Sequence, residues 1–476
     1  MKKLAHVVSA AVAAACLFTI VSRAEPEPAD AMWVWQFDTA AATAELRQEL
    51  IQFSLRHRIR VLFVGTDPAL ADHEDEYAEL IGLAHSHGIR VFALAGKAVW
   101  AKKEHHEEAL DRLEQVLSFN ERHPERRFDG IQFDIEPYTL PEFRGDAEAI
   151  GSQFVRLIAK AAGMISERGH ALELNVAIPF WYATGDPPVV VDYDGVRKPL
   201  SHHLLDAADS VSIMAYRDSA EEQIAVARAE LDYAAKVGKK AYIGAETGPP
   251  DGEGIPEQVT YYHQELWFFH EQLEAVRRHY AKHPAFAGVA IHSYDSFRNM
   301  QERERQQLRQ REQRYLELKA AGIMSGYADG GPGFGQRATR AETAAVAARL
   351  GGFSEPLPVS PDEPRFADVP PEAWYAGWVE TVFRMGVMNG KGGRKFAPEA
   401  AVTLEELSAA MARTAGLAYA DGADVEGASG WANGWIAALR GIGAAPRAVD
   451  YTRAALRDDL VDMAYAVYQY MRGLNP

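Results

Sequence analysis

The run Phe128-Asp129-Gly130-Ile131-Gln132-Phe133-Asp134-Ile135-Glu136-Pro137 places two carboxylates and an amide on one side of an extended chain. Ile131, Phe133 and Ile135 alternate with Gln132, Asp134 and Glu136, the period of a β-strand with one apolar and one polar face. Buried carboxyl groups two positions apart raise each other's pKa, so one keeps its proton near neutral pH and serves as a general acid. The bland alternative is a pair of acids hydrogen-bonded inside a core, but acids are rarely buried unless paired or functional. Pro137 closes the strand and leaves Glu136 as its predicted last residue.

Such a strand needs neighbours to hold it. Strand patterns recur at Trp33–Phe37, Val61–Gly65, Val91–Gly96, Ile131–Glu136, Leu172–Pro179, Val211–Tyr216, Ala241–Glu246 and Val289–Tyr294. Helical patterns separate them, among them Ala41–Arg58, Tyr77–Ser86, Glu107–Asn120, Ala147–Arg168, Ala220–Val237 and Glu265–Lys282. Eight strands alternating with helices across residues 31–300 predict an α/β fold, a (β/α)8 barrel of the TIM type. A doubly wound sheet would carry a glycine-rich phosphate turn after its first strand, and none is present.

Barrel sites lie at the C-terminal strand ends, which selects further candidates by alternation. The seventh strand turns Tyr242, Gly244 and Glu246 inward, and the sixth turns Met214 and Tyr216 inward, followed by Arg217. Strand five offers Glu173 and Asn175, then Trp181 and Tyr182; strand one offers Trp33 and Trp35; strand eight ends in His292-Ser293-Tyr294-Asp295. Acids ringed by aromatics suit a sugar cleft, where pyranose faces stack on rings and hydroxyls bond carboxylates. Trp35, Gln132, Asn175, Trp181, Met214 and Tyr294 are the expected substrate-binding residues. The pairs His105-His106 and His202-His203 diverge on a helix, so no metal site and no cofactor are expected.

The 476 residues exceed one ordinary domain. Lys2 and Lys3 precede an apolar run from Leu4 to Val21, and Ser22-Arg23-Ala24 offers a cleavage site, so residues 1–24 read as an export signal. Cleavage would remove three positive charges, taking the net charge from −17 to −20, and with them Cys16, the only cysteine. The mature chain is then expected to be secreted, without disulfides and without a transmembrane segment. Its acidity argues against nucleic acid as a partner.

Composition changes after Phe297. Residues 301–314 are almost all Gln, Glu and Arg, reading as a solvated helix or linker. Beyond it Gly322-Ile323-Met324-Ser325-Gly326 returns as Gly386-Val387-Met388-Asn389-Gly390, and Thr339-Arg340-Ala341-Glu342 returns as Thr403-Leu404-Glu405-Glu406. Both displacements are 64 residues, so this is a repeat. The copies fall at 301–352 with the linker, 366–418 and 428–475, the last degenerate, running from Trp431 to Leu456-Arg457-Asp458-Asp459.

The repeats resemble S-layer homology modules in the order Phe366-Ala367-Asp368-Val369, Trp374-Tyr375, Gly386–Gly390, Phe396-Ala397-Pro398 and Thr403–Glu406. The resemblance implies an all-α trio that binds a pyruvylated secondary cell-wall polymer and fastens an exported protein to the cell wall. It also implies Arg340 and Arg457 as the residues meeting the anionic ketal, with Leu404 replacing the arginine in the second copy. The barrel resembles glycoside hydrolases, most nearly family 18. That family's motif Asp-Gly-x-Asp-x-Asp-x-Glu is matched by Asp129, Gly130, Asp134 and Glu136, with Gln132 in place of an aspartate. Its Met-x-Tyr-Asp is approximated by Met214-Ala215-Tyr216, with Arg217 next, and Tyr294 is nearest to its strand-eight tryptophan.

The resemblance implies hydrolysis of a polysaccharide by one of two routes. Glu136 protonates the leaving oxygen while Asp134 orients a substrate acetamido nucleophile that Tyr216 supports; or Glu136 is acid/base and Glu246 the nucleophile. A wall-tethered barrel that only binds polysaccharide is the competing class.

Overall fold

The computed structural model describes residues 28–476 apart from 67–68, 170, 251–255, 329, 361–363, 447–449 and 474–476. The expected signal segment 1–24 lies outside the described residues. The chain divides into two compact units, one ending at Gln301 and one beginning at Glu302.

The first unit is a closed barrel of eight parallel strands. They are β1 (Asp30–Val34), β2 (Ile59–Gly65), β3 (Arg90–Ala95), β4 (Gly130–Phe133), β5 (Glu173–Pro179), and, beyond a hairpin of β6 (Val190–Tyr193) and β7 (Val196–Pro199), β8 (Ser210–Met214), β9 (Lys240–Glu246) and β10 (Phe286–His292). The order around the barrel follows the sequence, and β1 closes on β10 through Ala31–Ala290 and Met32–Ile291. The hairpin pairs antiparallel outside the barrel and adds two strands to the eight expected.

Helix starts follow local chemistry. Thr43, Asp146 and Ser219 each accept a hydrogen bond from the backbone N–H three residues on, satisfying donors a helix cannot pair itself. Between sheet and helices lies the main core, where Leu62, Val64, Ile131, Phe133, Ile213 and Ile243 pack with Leu50, Leu80, Leu113, Leu157 and Leu231. Each such buried side chain contributes roughly 1.5–3 kcal/mol. The barrel interior holds a second, smaller core of Trp33, Val61, Phe63, Phe92, Leu94 and Tyr242.

Several strand ends differ from those expected, and the differences move site residues. β4 stops at Phe133, so Asp134 and Glu136 stand beyond the strand, with Asp134 N still bonded to Ala95 O at 3.0 Å. β1 stops at Val34 and β8 at Met214, which puts Trp35 and Tyr216 in the segments that follow. β10 stops at His292; Tyr294 opens a helix that runs to Ala320. The charged stretch 301–314 is therefore helix throughout.

The second unit is helical, with helices Arg340–Leu350, Ala376–Arg384, Leu404–Thr414, Asn433–Gly441 and Arg457–Met471 around one apolar core. Three backbone bonds close a ring through the three copies. Ala338 N donates to Ala455 O, Ala455 N to Val402 O, and Val402 N to Ala338 O. Thr339–Glu342 and Thr403–Glu406 are reciprocal capping boxes. In the third copy Leu456 has no side-chain acceptor, and only the return bond from Leu456 N to Asp459 at 2.7 Å remains. Among the described residues no helix is long and apolar enough to cross a membrane.

Candidate active site

Two glycines let the strand ends crowd together. A Cβ on Gly96, just past β3, would lie 1.8 Å from the carbonyl oxygen of Asp134, and one on Gly65 would lie 2.2 Å from that of Trp35. Only hydrogen fits at either position, so Asp134 and Trp35 sit closer to their neighbouring strands than any side chain would allow.

Asp134 and Glu136 are both part-exposed, but Asp134 Oδ1 is buried and has no hydrogen-bond partner. Burial, with the nearby charge of Glu136, pushes the Asp134 carboxyl up to about 7, against the opposing influence of His292 and Trp33. The Trp33 indole N–H stands near enough to favour the anion, yet outside hydrogen-bond geometry. Burial also raises Glu136, against the stabilising influence of Tyr138 and His292. The pair thus holds a proton well above the usual carboxylate range.

Around the acids stand side chains from five other strand ends. Met214 is nearly buried, its Sδ 3.9 Å from the Tyr138 hydroxyl. Tyr138 meets Trp181 edge-on, with ring centroids 5.2 Å apart. Tyr216 lies against His292 at 5.9 Å, and its phenol is raised by burial and by Glu246, Asp134 and Glu136. Trp35 is part-exposed. Glu246 is engaged at both oxygens: Oε1 accepts from Gly248 N at 2.6 Å, and Oε2 meets His292 Nδ1 at 2.6 Å.

Three expected substrate-binding residues lie elsewhere. Gln132 and Asn175 are wholly buried inside the barrel, where Gln132 Nε2 donates to Asn175 Oδ1 at 2.8 Å and to Ser212 Oγ at 2.9 Å. That network continues through Ser210 and Glu173 to Arg90, forming a polar plug beneath the cleft. Tyr294 is 1% exposed and packs edge-on against Phe53 in the helix layer. Asp129 of the motif is structural as well, accepting from Val91 N at 2.8 Å and pairing with His85.

His292 also lines the cleft, a place that the sequence reading gives to no residue of strand eight but Tyr294. The signal was there: Gly288, Ala290 and His292 alternate inward on β10.

A shallow recess at the opposite face, lined by Leu172, Glu173, Ala207 and Asp209, offers no competing chemistry. Its acids are committed, Glu173 to Arg90 and Ser210, and Asp209 to Leu174 N.

In the second unit the two arginines expected to meet the polymer are largely enclosed by protein. Arg340 and Arg457 are each 4% exposed. Arg340 donates to Phe396 O and Asn389 O at 2.8 and 2.7 Å and lies 3.7 Å from Glu406. Arg457 donates to Pro332 O and Ser325 O at 2.8 and 3.1 Å and pairs with Glu342 at 3.0 Å. Both guanidiniums join one copy to the glycine loop of another, each giving Nε and Nη2 to protein carbonyls and turning Nη1 to a glutamate.

Residues 365–408 match the S-layer homology domain. A stretch of 146 residues, 31% of the chain, is 27% identical to the middle cell wall protein of Brevibacillus brevis and spans 13% of that protein. Solved structures similar to the chain include a GH18 chitinase from Pseudoalteromonas aurantia, 12% identical, with a TM-score of 0.38 over 57% of this chain and 96% of that one. Another is the GH18 chitinase of Cycas revoluta in complex with (GlcNAc)3, 13% identical, with a TM-score of 0.39 over 56% and 95%.

Proposed function

We propose that the barrel is a glycoside hydrolase with Glu136 as proton donor, exported and held at the cell wall by its C-terminal repeats. The observation that carries the reading is the Asp134–Glu136 pair, whose carboxyls are both raised, Asp134 by burial and the charge of Glu136 and Glu136 by burial, among Tyr138, Trp181, Tyr216 and Trp35. Glu136 gives its proton to the glycosidic oxygen as the C1–O bond breaks. The oxygen of a substrate acetamido group closes on C1, and Asp134 accepts a hydrogen bond from the acetamido N–H. Its buried, unpartnered Oδ1 is an acceptor that such a donor would satisfy. Tyr216 donates to the acetamido oxygen. Glu136, now a carboxylate, takes a proton from the water that reopens the ring, returning the site to its first state.

This substrate-assisted route is favoured over attack by Glu246. Glu246 is held at both oxygens, Oε1 by Gly248 N and Oε2 by His292 Nδ1, bonds that fix its orientation and draw off the electron density a nucleophile would use. The substrate class that follows is a polysaccharide containing N-acetylhexosamine. Similarity to a cell wall protein and the S-layer homology match support attachment to a secondary, pyruvylated wall polymer.

The test is hydrolysis of a panel of chitin, peptidoglycan and plant and bacterial glycans by the full chain, with Glu136→Gln as the control. Glu136→Gln should cut turnover by at least about a thousandfold while leaving sugar affinity in place. Near wild-type turnover by that variant on any confirmed substrate would refute the assignment. Attachment is tested by co-sedimentation with purified walls before and after acid removal of the secondary polymer; equal pelleting with both would exclude that ligand.

A further inference from the structure

Three side chains from three strand ends form one hydrogen-bonded chain along the cleft. Glu246, closing β9, meets His292 Nδ1 at 2.6 Å, and Trp35 Nε1 donates to His292 Nε2 at 2.8 Å. The indole is a donor only, so Nε2 must present a lone pair, which assigns the ring's proton to Nδ1, facing Glu246. His292 also stands edge-on to Trp33 and Trp35, with centroids 5.5 and 6.1 Å away. The far end of the chain is anchored as well, because Glu246 Oε1 is fixed by Gly248 N.

We propose that His292 is a positioning residue, held by Glu246, that locks the Trp35 indole as a stacking wall of the sugar cleft. The inference rests on the sugar-binding reading of that cleft. With its N–H consumed by His292, Trp35 has only its ring left to offer a ligand, and ring faces bind pyranose faces. Glu246 thereby has a role other than nucleophile.

The same geometry makes the lock sensitive to acid. The charged and titratable groups facing His292 are Glu246 on β9, Asp134 and Glu136 after β4, and Tyr216 after β8. Burial opposes a charged imidazole, but the bond and charge of Glu246, with smaller contributions from Asp134 and Glu136, outweigh it and raise its pKa. A proton on Nε2 would then confront the indole N–H donor to donor. The Trp35 bond is therefore present above the His292 pKa and lost below it.

The experiment follows the His292 ring by NMR in the ligand-free full chain, its signal identified by its absence in His292→Gln. Trp35→Phe removes the donor opposing protonation and should move the midpoint up. Glu246→Gln removes the anion favouring it and should move the midpoint down. An unchanged midpoint in Trp35→Phe overturns the proposal. Binding of an N-acetylglucosamine tetramer should weaken about tenfold in the wild type below that midpoint, the loss of roughly one hydrogen bond, while Trp35→Phe binds weakly at every pH. Absence of any tetramer binding, with both midpoints shifting as described, would refute the sugar reading and leave the Glu246–His292–Trp35 chain standing.

Discussion

Replacing Asp134 by asparagine should stabilise the barrel in alkali while disabling it. In the unfolded chain this carboxyl ionises at about its ordinary 3.8; in the fold it keeps its proton to about 7. A raised acid costs the folded state nothing below 3.8. As pH climbs, the unfolded chain gives up its proton first, and stability falls by about 1.4 kcal/mol per pH unit until the folded pKa is passed. The difference between 7 and 3.8 corresponds to about 4 kcal/mol. Asparagine has no charge to bury, so its stability relative to wild type should grow by that amount between pH 4 and pH 8. For a barrel of this size that is a gain of about 10 °C in melting temperature at pH 8. Calorimetry of both proteins at the two pH values measures it through the barrel's own transition. Since Glu136 supplies part of the shift, Glu136→Gln should flatten the wild-type slope. A difference between Asp134→Asn and wild type that stays constant from pH 4 to pH 8 would refute the reasoning, because it would mean that burial imposes no charge penalty at this site.

Gly96→Ala would drive a methyl into the Asp134 carbonyl, 1.8 Å away. It should destabilise the barrel by roughly 1–3 kcal/mol and lower turnover; unchanged melting and activity would count against the close-approach argument. A fluorinated glycoside that traps covalent intermediates should leave Glu246 unmodified by mass spectrometry, since both its oxygens are engaged; an adduct there would restore the double-displacement route. Arg340→Ala removes the bonds to Phe396 O and Asn389 O and leaves a buried gap beside Glu406. It should lower the stability of the repeat unit by roughly 3–5 kcal/mol. Unaltered melting with lost wall binding would instead make that arginine a ligand residue.

The carboxylate strand was legible because burial on one side forces a period of two, and that period survives in composition alone. Ile131 and Phe133 do face the helices, while Gln132 faces inward. The same rule turned Ala241, Ile243 and Ala245 outward and Tyr242 inward on β9. The repeat was legible from the equal displacement of two landmarks, and two structural counterparts keep that spacing: Arg349 reaches Ile323 O and Arg413 reaches Val387 O, each also covering a tryptophan, Trp378 and Trp435, at a spacing of its own.

Alternation tells which face a residue takes, and not how deep along the barrel axis it lies. Depth depends on the stagger between strands, and stagger is set by partners far away in sequence. Gln132 and Asp134 share one face, yet one is sealed in a polar plug and the other lines the cleft. Tyr294 was lost to the helix layer because β10 ended two residues before it. The sequence by itself determined the barrel, the acid pair and the threefold repeat, since each follows from periodicity. Only the tertiary structure decided that Glu246 is tied to His292, 46 residues on, and that Arg457 is spent on Pro332 O, 125 residues back. Those bonds come from strand ends and loops folded together, and no local pattern encodes which donor will face which acceptor.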